Sequence, residues 1–377
     1  MRIAVVHNLP PGGARRRVEG HLRGLEGEVK EFVLESATPV TDDAVIVPLT
    51  QRADSVPRAL KPLVRYPDHL ALLLAWRTLS RAVAAWSPDV VYLNPCRYLQ
   101  TPPLADVGGA PIVYYCDEPR RADYEQQARS SKNTVTRLPY WLLHESERRA
   151  DRRGVARASR VLTNSRYTSG TIRRAYGVDS HVVYCGVPEL FTPAADALVP
   201  THVLSVGTLI PTKGHDLVLE AVAGAGLDLP VVVVSPRSRP EEEQRLRALA
   251  ERLGVQLSVR VGVSDDELLE LFRRAFATMY LAVAEPYGLV SIEAQSSGCP
   301  VVVADEGGLP ETVVDEAGVV VPRTAAAAAR ALVDLQDPRA RDKAVVAARG
   351  STARNTWAAS SAQVLEHLRD VTGRARP

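Results

Sequence analysis

The chain has 377 residues but only four cysteines, Cys96, Cys116, Cys185 and Cys299, which are far apart and form no Cys-x-x-Cys pair. That spacing argues against a zinc site and a disulfide framework, and reads as reduced thiols of a cytoplasmic protein. An excess of one charge is also lacking: 46 basic and 44 acidic residues give a net charge of +2, so there is no electrostatic footprint for nucleic acid. Apolar runs are short, and "HLALLLAW" at 69–76, among the longest, falls well below the ~20 residues of a membrane-spanning helix. The start, "MRIAVVHNLPPGG", passes from a short apolar strand into a turn and lacks the features of a signal peptide. No Asp-x-Asp occurs, so the usual carboxylate pair for a phosphate-bound magnesium is missing and no metal is expected. Lysine is scarce beside arginine, found only at Lys30, Lys61, Lys132, Lys213 and Lys343, which makes each one conspicuous.

What is present is a long alternation of β-branched runs and helical patterns. The first half offers runs at 2–6, 44–48, 89–93, 111–116, 160–164 and 181–185; the second begins again at 202–207, then 231–234, 257–262, 277–283 and 301–304. Such runs with helices between them predict α/β domains with parallel sheets covered on both faces. The length favours two domains, and the small, proline-flanked "FTPAADALVP" at 191–200 reads as the linker. We therefore expect an amino-terminal Rossmann-like domain over 1–192 and a second over 200–354. An amphipathic helix in 355–377 would pack back towards the first. The segment 137–160 reads as a helix burying Tyr140, Trp141, Leu142 and Leu143, in preference to a membrane-surface helix.

The stretch "EPYGLVSIEAQSSGCPVVVADEGGLPE" at 285–311 carries the strongest chemical signal. A strand runs into a Pro-Tyr-Gly turn that opens a helix stopped by Gly298 and Pro300, so the amides of Gly288, Leu289 and Val290 lie at a helix N-terminus. Such an end favours anions, and glycine lets a phosphate approach the backbone. Glu285 precedes the turn and Glu293 lies one helical turn further in. Acids beside an anion site suggest hydroxyl recognition at the two ends of a nucleoside diphosphate sugar. Alone, either glutamate would be an ordinary solvated or helix-face acid. In "VLSVGTLIPTKGHDLVLEAV" (203–222), Lys213 lies in a strand-to-helix loop where a cation would meet a diphosphate.

These elements resemble the retaining GT-B glycosyltransferases with the E-x7-E signature, the family 4-like, group 1 enzymes. The resemblance implies a GT-B fold: two doubly wound domains facing across a cleft, acceptor in the first and donor in the second. It assigns the transferred sugar to Glu285 and the nucleotide ribose to Glu293. Gly207, Leu209, Lys213 and Gly214 match a Gly-Arg-Leu-x-x-x-Lys-Gly element, with Thr208 where the family has arginine. Gly12 and Gly13 match a Gly-Gly loop that approaches donor phosphate or acceptor. Related enzymes often place histidine on the loop where this chain has Cys116, Asp117 and Glu118, which leaves the two acids to orient an acceptor or simply to cap a turn. "TNSRYT", with Asn164, and "YCGVPELF" resemble the end of the family's first domain.

The expectation is a retaining, metal-independent hexosyltransferase that uses no cofactor beyond its nucleotide-sugar co-substrate, a UDP-sugar ranked ahead of a GDP-sugar. Glu285, Lys213 and Asp117 are its catalytic candidates. Gly13, Gly207, Thr208, Gly288, Leu289, Val290 and Glu293 are the donor side; Gly12, Glu118 and Asn164 are the acceptor side. The partners are small molecules, with no nucleic acid. A non-catalytic sugar-nucleotide-binding subunit and a nucleotide-sugar epimerase are the alternatives.

Overall fold

The computed structural model describes residues 1–57, 61–120, 137–196, 198–314, 316–351 and 355–373. The chain divides into two compact units, Met1–Tyr184 with Ala358–Pro377, and Cys185–Trp357.

In the first unit the strands are β1 (Arg2–Asn8), β2 (Glu28–Leu34), β3 (Val45–Val47), β4 (Val90–Cys96), β5 (Ile112–Cys116), β6 (Arg160–Thr163) and β7 (His181–Val182). Among the described residues they form one parallel sheet in the order β3-β2-β1-β4-β5-β6-β7. The helices are α1 (Gly13–Gly24), α2 (Lys61–Trp86), α3 (Arg137–Ala156) and α4 (Arg166–Tyr176), with α11 (Trp357–Val371) returning from the end of the chain.

Alternation along each strand sends neighbouring side chains to opposite faces. Ala4, Val6, Phe32, Leu34, Val91 and Leu93 pack against Trp76, Leu79 and Val83 of α2. Ile3, Val5, Val90, Tyr92 and Val113 pack against Val18 of α1 and Val364, Leu365 and Leu368 of α11. Each aliphatic side chain buried this way contributes about 1.5–3 kcal/mol.

The second unit repeats the plan with β8 (His202–Val206), β9 (Val231–Ser235), β10 (Leu257–Val261), β11 (Ala275–Tyr280), β12 (Val301–Ala304) and β13 (Gly318–Val321), ordered β10-β9-β8-β11-β12-β13. Its helices are α5 (His215–Gly224), α6 (Pro240–Leu253), α7 (Asp265–Arg273), α8 (Leu289–Ser296), α9 (Ala325–Asp334) and α10 (Pro338–Gly350). In both sheets the order reverses beside the first strand, between β1 and β4 and between β8 and β11. Crevices at the carboxyl ends of such strand pairs are where open parallel sheets bind ligands.

Several local expectations are corrected. β2 went unread because "EVKEFVL" carries charge at three of its first four positions. The fully buried carboxylate of Glu31 is satisfied by His7 Nε2 at 2.6 Å and by the amides of Val40 and Thr41. β13 is a short run opened by Gly318, where a Cβ would sit 2.3 Å from Val301 Cγ2 and 2.5 Å from its carbonyl oxygen. The strand expected over 277–283 stops at Tyr280, because the Leu281 carbonyl accepts from Arg323 Nε (2.9 Å) and the Val283 amide donates to Thr212 O (2.8 Å). In α3, Leu143 is buried; the side chains of Tyr140, Trp141 and Leu142 lie outside the described residues. All four cysteines are buried and unbridged. Among the described residues no helix is long and apolar enough to cross a membrane.

Candidate functional site

At the reversal point of the second sheet, the loop after β8 and the loop after β11 are locked together. The first leaves the sheet at Gly207, makes a 3-10 turn over Pro211–Lys213 and enters α5 through Gly214 at φ 73°. A Cβ on Gly214 would stand 2.2 Å from the Leu281 carbonyl oxygen, so only glycine fits this crossing. The stem of Lys213 runs over Gly207, where a Cβ would lie 3.3 Å from Lys213 Cγ.

Lys213 Nζ donates to Glu285 Oε2 at 2.6 Å and to the Tyr280 hydroxyl at 3.0 Å. Burial works against the ammonium, but Tyr280 and Glu285 outweigh it and hold its pKa above the usual lysine value. Burial, then the neighbouring Glu285 carboxylate, pushes Tyr280 upward despite Lys213. These neighbours hold Lys213 as the ammonium and Tyr280 as the neutral phenol.

The backbone around Glu285 is constrained. Ala284 stands at φ 47°, an uncommon conformation for a residue with a side chain. Gly308 N donates to Glu285 O at 2.8 Å, and a Cβ on Gly307, itself at φ 65°, would lie 2.3 Å from that oxygen. The Gly-Gly pair of the 285–311 stretch thus clamps the peptide that carries Glu285. Gly288 is the N-cap of α8 at φ 114°, with no side-chain cap over the first-turn amides of Leu289 and Val290. Glu293 lies on the buried side of α8, 3% exposed. Thr208 is half-buried, its carbonyl accepting from Ile210 N at 2.8 Å and lying 3.3 Å from His215 Nε2. His215 also meets Ser205 Oγ at 2.8 Å, and burial lowers its pKa, so it anchors the loop as a neutral ring.

In the first unit Gly12 caps α1 and Gly13 begins it, both exposed. One turn later the fully buried Arg17 makes a two-pronged ion pair with Asp117, Nε–Oδ1 and Nη2–Oδ2 both 2.8 Å. Its Nη1 donates to Asn94 Oδ1 (2.8 Å) and the Tyr92 hydroxyl (3.1 Å), and its guanidinium lies 3.8 Å from the Tyr115 ring centroid. Burial disfavours the guanidinium charge, but Asp117 and its neighbours outweigh that. Asn164 Nδ2 donates to Asp117 O at 3.0 Å, while its buried Oδ1 has no partner among the described residues. The Glu118 carbonyl accepts from Gln100 Nε2 at 2.6 Å. Cys116 is buried, and burial raises its thiol well above the usual range.

The structure thus joins Lys213, Glu285 and Gly207 in one cluster beside Gly288, Leu289 and Val290, and joins Asp117 to Asn164 and, through Arg17, to α1. Sequence reasoning missed Arg17, Tyr280, His215 and the role of Gly307. A lone tyrosine in the apolar "ATMYLAV" and a histidine directly after Lys213-Gly214 were the available signals. Among the described residues no group of three or more His, Cys, Asp or Glu side chains could hold a metal.

Residues 11–189 match the model "Glycosyltransferase Family 4" and residues 196–350 match "Glycosyl transferases group 1". A D-inositol 3-phosphate glycosyltransferase of Streptomyces bingchenggensis is 34% identical over 179 residues, 40% of this chain and 38% of that relative. The Acidothermus cellulolyticus protein of the same name is 34% identical over 174 residues, 40% of this chain and 39% of that relative. The chain therefore spans well under half the length of these curated relatives. In fold it resembles sucrose-phosphate synthase from Thermosynechococcus elongatus, with TM-score 0.75, 20% identity and 99% of each chain covered. It also resembles Anabaena HepE in complex with UDP, with TM-score 0.72, 17% identity, and 98% of this chain and 100% of that one covered. With a family match over each half and the same two-sheet architecture, the chain belongs to the group 1, family 4-like glycosyltransferases of the GT-B fold.

Proposed function

We propose that the chain is a retaining glycosyltransferase that moves a hexose from a UDP-sugar to an acceptor hydroxyl or amine without a metal. The observation that carries this reading is the cluster of Lys213, Glu285 and Tyr280 beside the uncapped N-terminus of α8. A diphosphate placed there meets one fixed cation and the Leu289 and Val290 amides, which stabilise charge as it grows on the leaving group. Glu285, held by Gly307 and Gly308, accepts hydroxyls of the transferred sugar once the diphosphate competes for Lys213. Glu293 takes the ribose diol. UDP as the nucleotude is favoured because the similarly folded Anabaena HepE is described in complex with UDP.

The bond from the anomeric carbon to the diphosphate oxygen breaks and the acceptor oxygen or nitrogen bonds to the same face. The acceptor proton passes to the departing phosphate. The protein contributes orientation and electrostatic stabilisation. The test is incubation with UDP-, GDP- and ADP-glucose. A glycosyltransferase releases nucleoside diphosphate slowly to water and faster with an acceptor; a binding subunit releases none above buffer.

A further inference from the structure

In the last turn of α8, on its buried side, stands an uncharged amide: Gln295, 1% exposed. An amide so buried costs stability unless both of its ends are satisfied. Here both are. Nε2 donates to Thr312 O at 2.8 Å and, with its second proton, to Ser291 O (3.0 Å) and Ser291 Oγ (3.1 Å). Oε1 accepts from Val314 N at 2.9 Å. The reverse orientation would set NH2 against an amide and oxygen against two carbonyls, so the partners fix which way the group points.

The bonds to Thr312 and Val314 reach out of the helix to the segment that follows the Gly307-Gly308 pair. That segment begins with a 3-10 turn over Leu309–Thr312, tightened by Thr312 Oγ1 donating to Leu309 O (2.7 Å) and Glu311 N donating to Gly308 O (3.1 Å). Leu309 is fully buried behind the N-cap of α8, where a Cβ on Gly288 would stand 2.6 Å from Leu309 Cδ2. A path of hydrogen bonds thus runs from Gln295 through this turn to Gly308 N and the Glu285 carbonyl. A leucine or methionine would fill the same space but would hold neither Thr312 O nor Val314 N.

Resting on the glycosyltransferase reading, with Glu285 on the transferred sugar, we propose that Gln295 is a positioning residue of the donor site. It holds the 307–314 segment against α8, and so sets where Glu285 stands relative to the helix N-terminus that faces the diphosphate. It acts on the sugar end of the donor and not on the nucleotide, because Lys213, the Leu289 and Val290 amides and Glu293 all lie outside that segment.

The test compares the full chain with Q295L and Q295E. Q295L keeps the bulk and removes every side-chain hydrogen bond. Q295E as the neutral acid still donates to Thr312 O and accepts from Val314 N, whereas its carboxylate would turn an oxygen onto two carbonyls, so burial and those carbonyls raise its pKa. UDP affinity is measured by calorimetry, and kcat and KM by release of UDP from UDP-glucose. In Q295L kcat should fall about tenfold or more while UDP affinity stays within about threefold of the parent. Q295E should resemble Q295L near pH ~8 and, as a ratio to the parent at the same pH, recover about threefold or more towards pH ~5.5. A merely structural role would lower urea stability and leave the folded protein's kcat alone. A Q295L kcat within about threefold of the parent, UDP affinity lost in step with kcat, or a Q295E ratio that does not change with pH overturns the proposal. Should Q295L not fold, the Q295E ratio decides. A parent that binds no UDP sinks the glycosyltransferase reading itself, and the proposal with it, before any variant is made.

Discussion

Replacing Lys213 with methionine keeps the stem that lies on Gly207 and removes only the charge. Two partners are then orphaned, the Glu285 carboxylate at 2.6 Å and the Tyr280 hydroxyl at 3.0 Å. The lysine and glutamate side chains are only 21% and 17% exposed, so the loss is not fully compensated by water. Folding stability should fall by about 1–3 kcal/mol, less than for a fully buried pair. Turnover should suffer more. The ammonium opposes charge that grows on the diphosphate in the transition state, and losing one such contact costs about 2–4 kcal/mol, or roughly 30- to 1000-fold in kcat. The assay is initial-rate release of UDP from UDP-glucose at saturating donor, with urea unfolding alongside to separate activity from stability. A kcat within about threefold of the parent would refute the assignment of Lys213 to the diphosphate.

Three further outcomes follow from the same geometry. Glu293→Ala should raise the KM for UDP-glucose by about tenfold while leaving kcat within about threefold, since a ribose contact is shared by ground and transition states; an unchanged KM removes that role. Gly307→Ala forces a Cβ to within 2.3 Å of Glu285 O at φ 65°, and should lower both urea stability, by about 1–3 kcal/mol, and turnover. Parent-like values for both would show that the clamp is not needed. Burial tends to raise the Glu31 pKa, but His7 and the Val40 and Thr41 amides outweigh it, so the folded value lies below 4.5. Its stabilisation is therefore present above that pH and lost as pH falls through the folded value, and Glu31→Gln should lose less stability than the parent over that acid window.

The parallel α/β class was legible because most strands are runs of valine, isoleucine and leucine buried on both faces. β2 was not, because its buried Glu31 is satisfied by hydrogen bonds distant in sequence, such as that with His7. The same limit applies to Arg17. In "GGARRRVEG" nothing separates it from its neighbours, yet the fold alone puts Asp117, one hundred residues away, against it. The glycines and acids of 285–311 were visible as a pattern, and Gly288 is the cap of α8 as read. The pairing of Lys213 with Glu285 was not visible. It depends on β8 and β11 being neighbours, which is a property of strand order.

The central claim is sugar transfer with retention, driven by protein charges in the second unit. Real-time proton NMR of UDP-glucose with the protein in excess EDTA tests it directly, because the anomer formed first is seen before mutarotation blurs it. The account predicts UDP and α-glucose as the initial products of slow hydrolysis, at a rate unchanged by added magnesium or manganese. Initial β-glucose, or turnover that appears only when metal is restored, would contradict it.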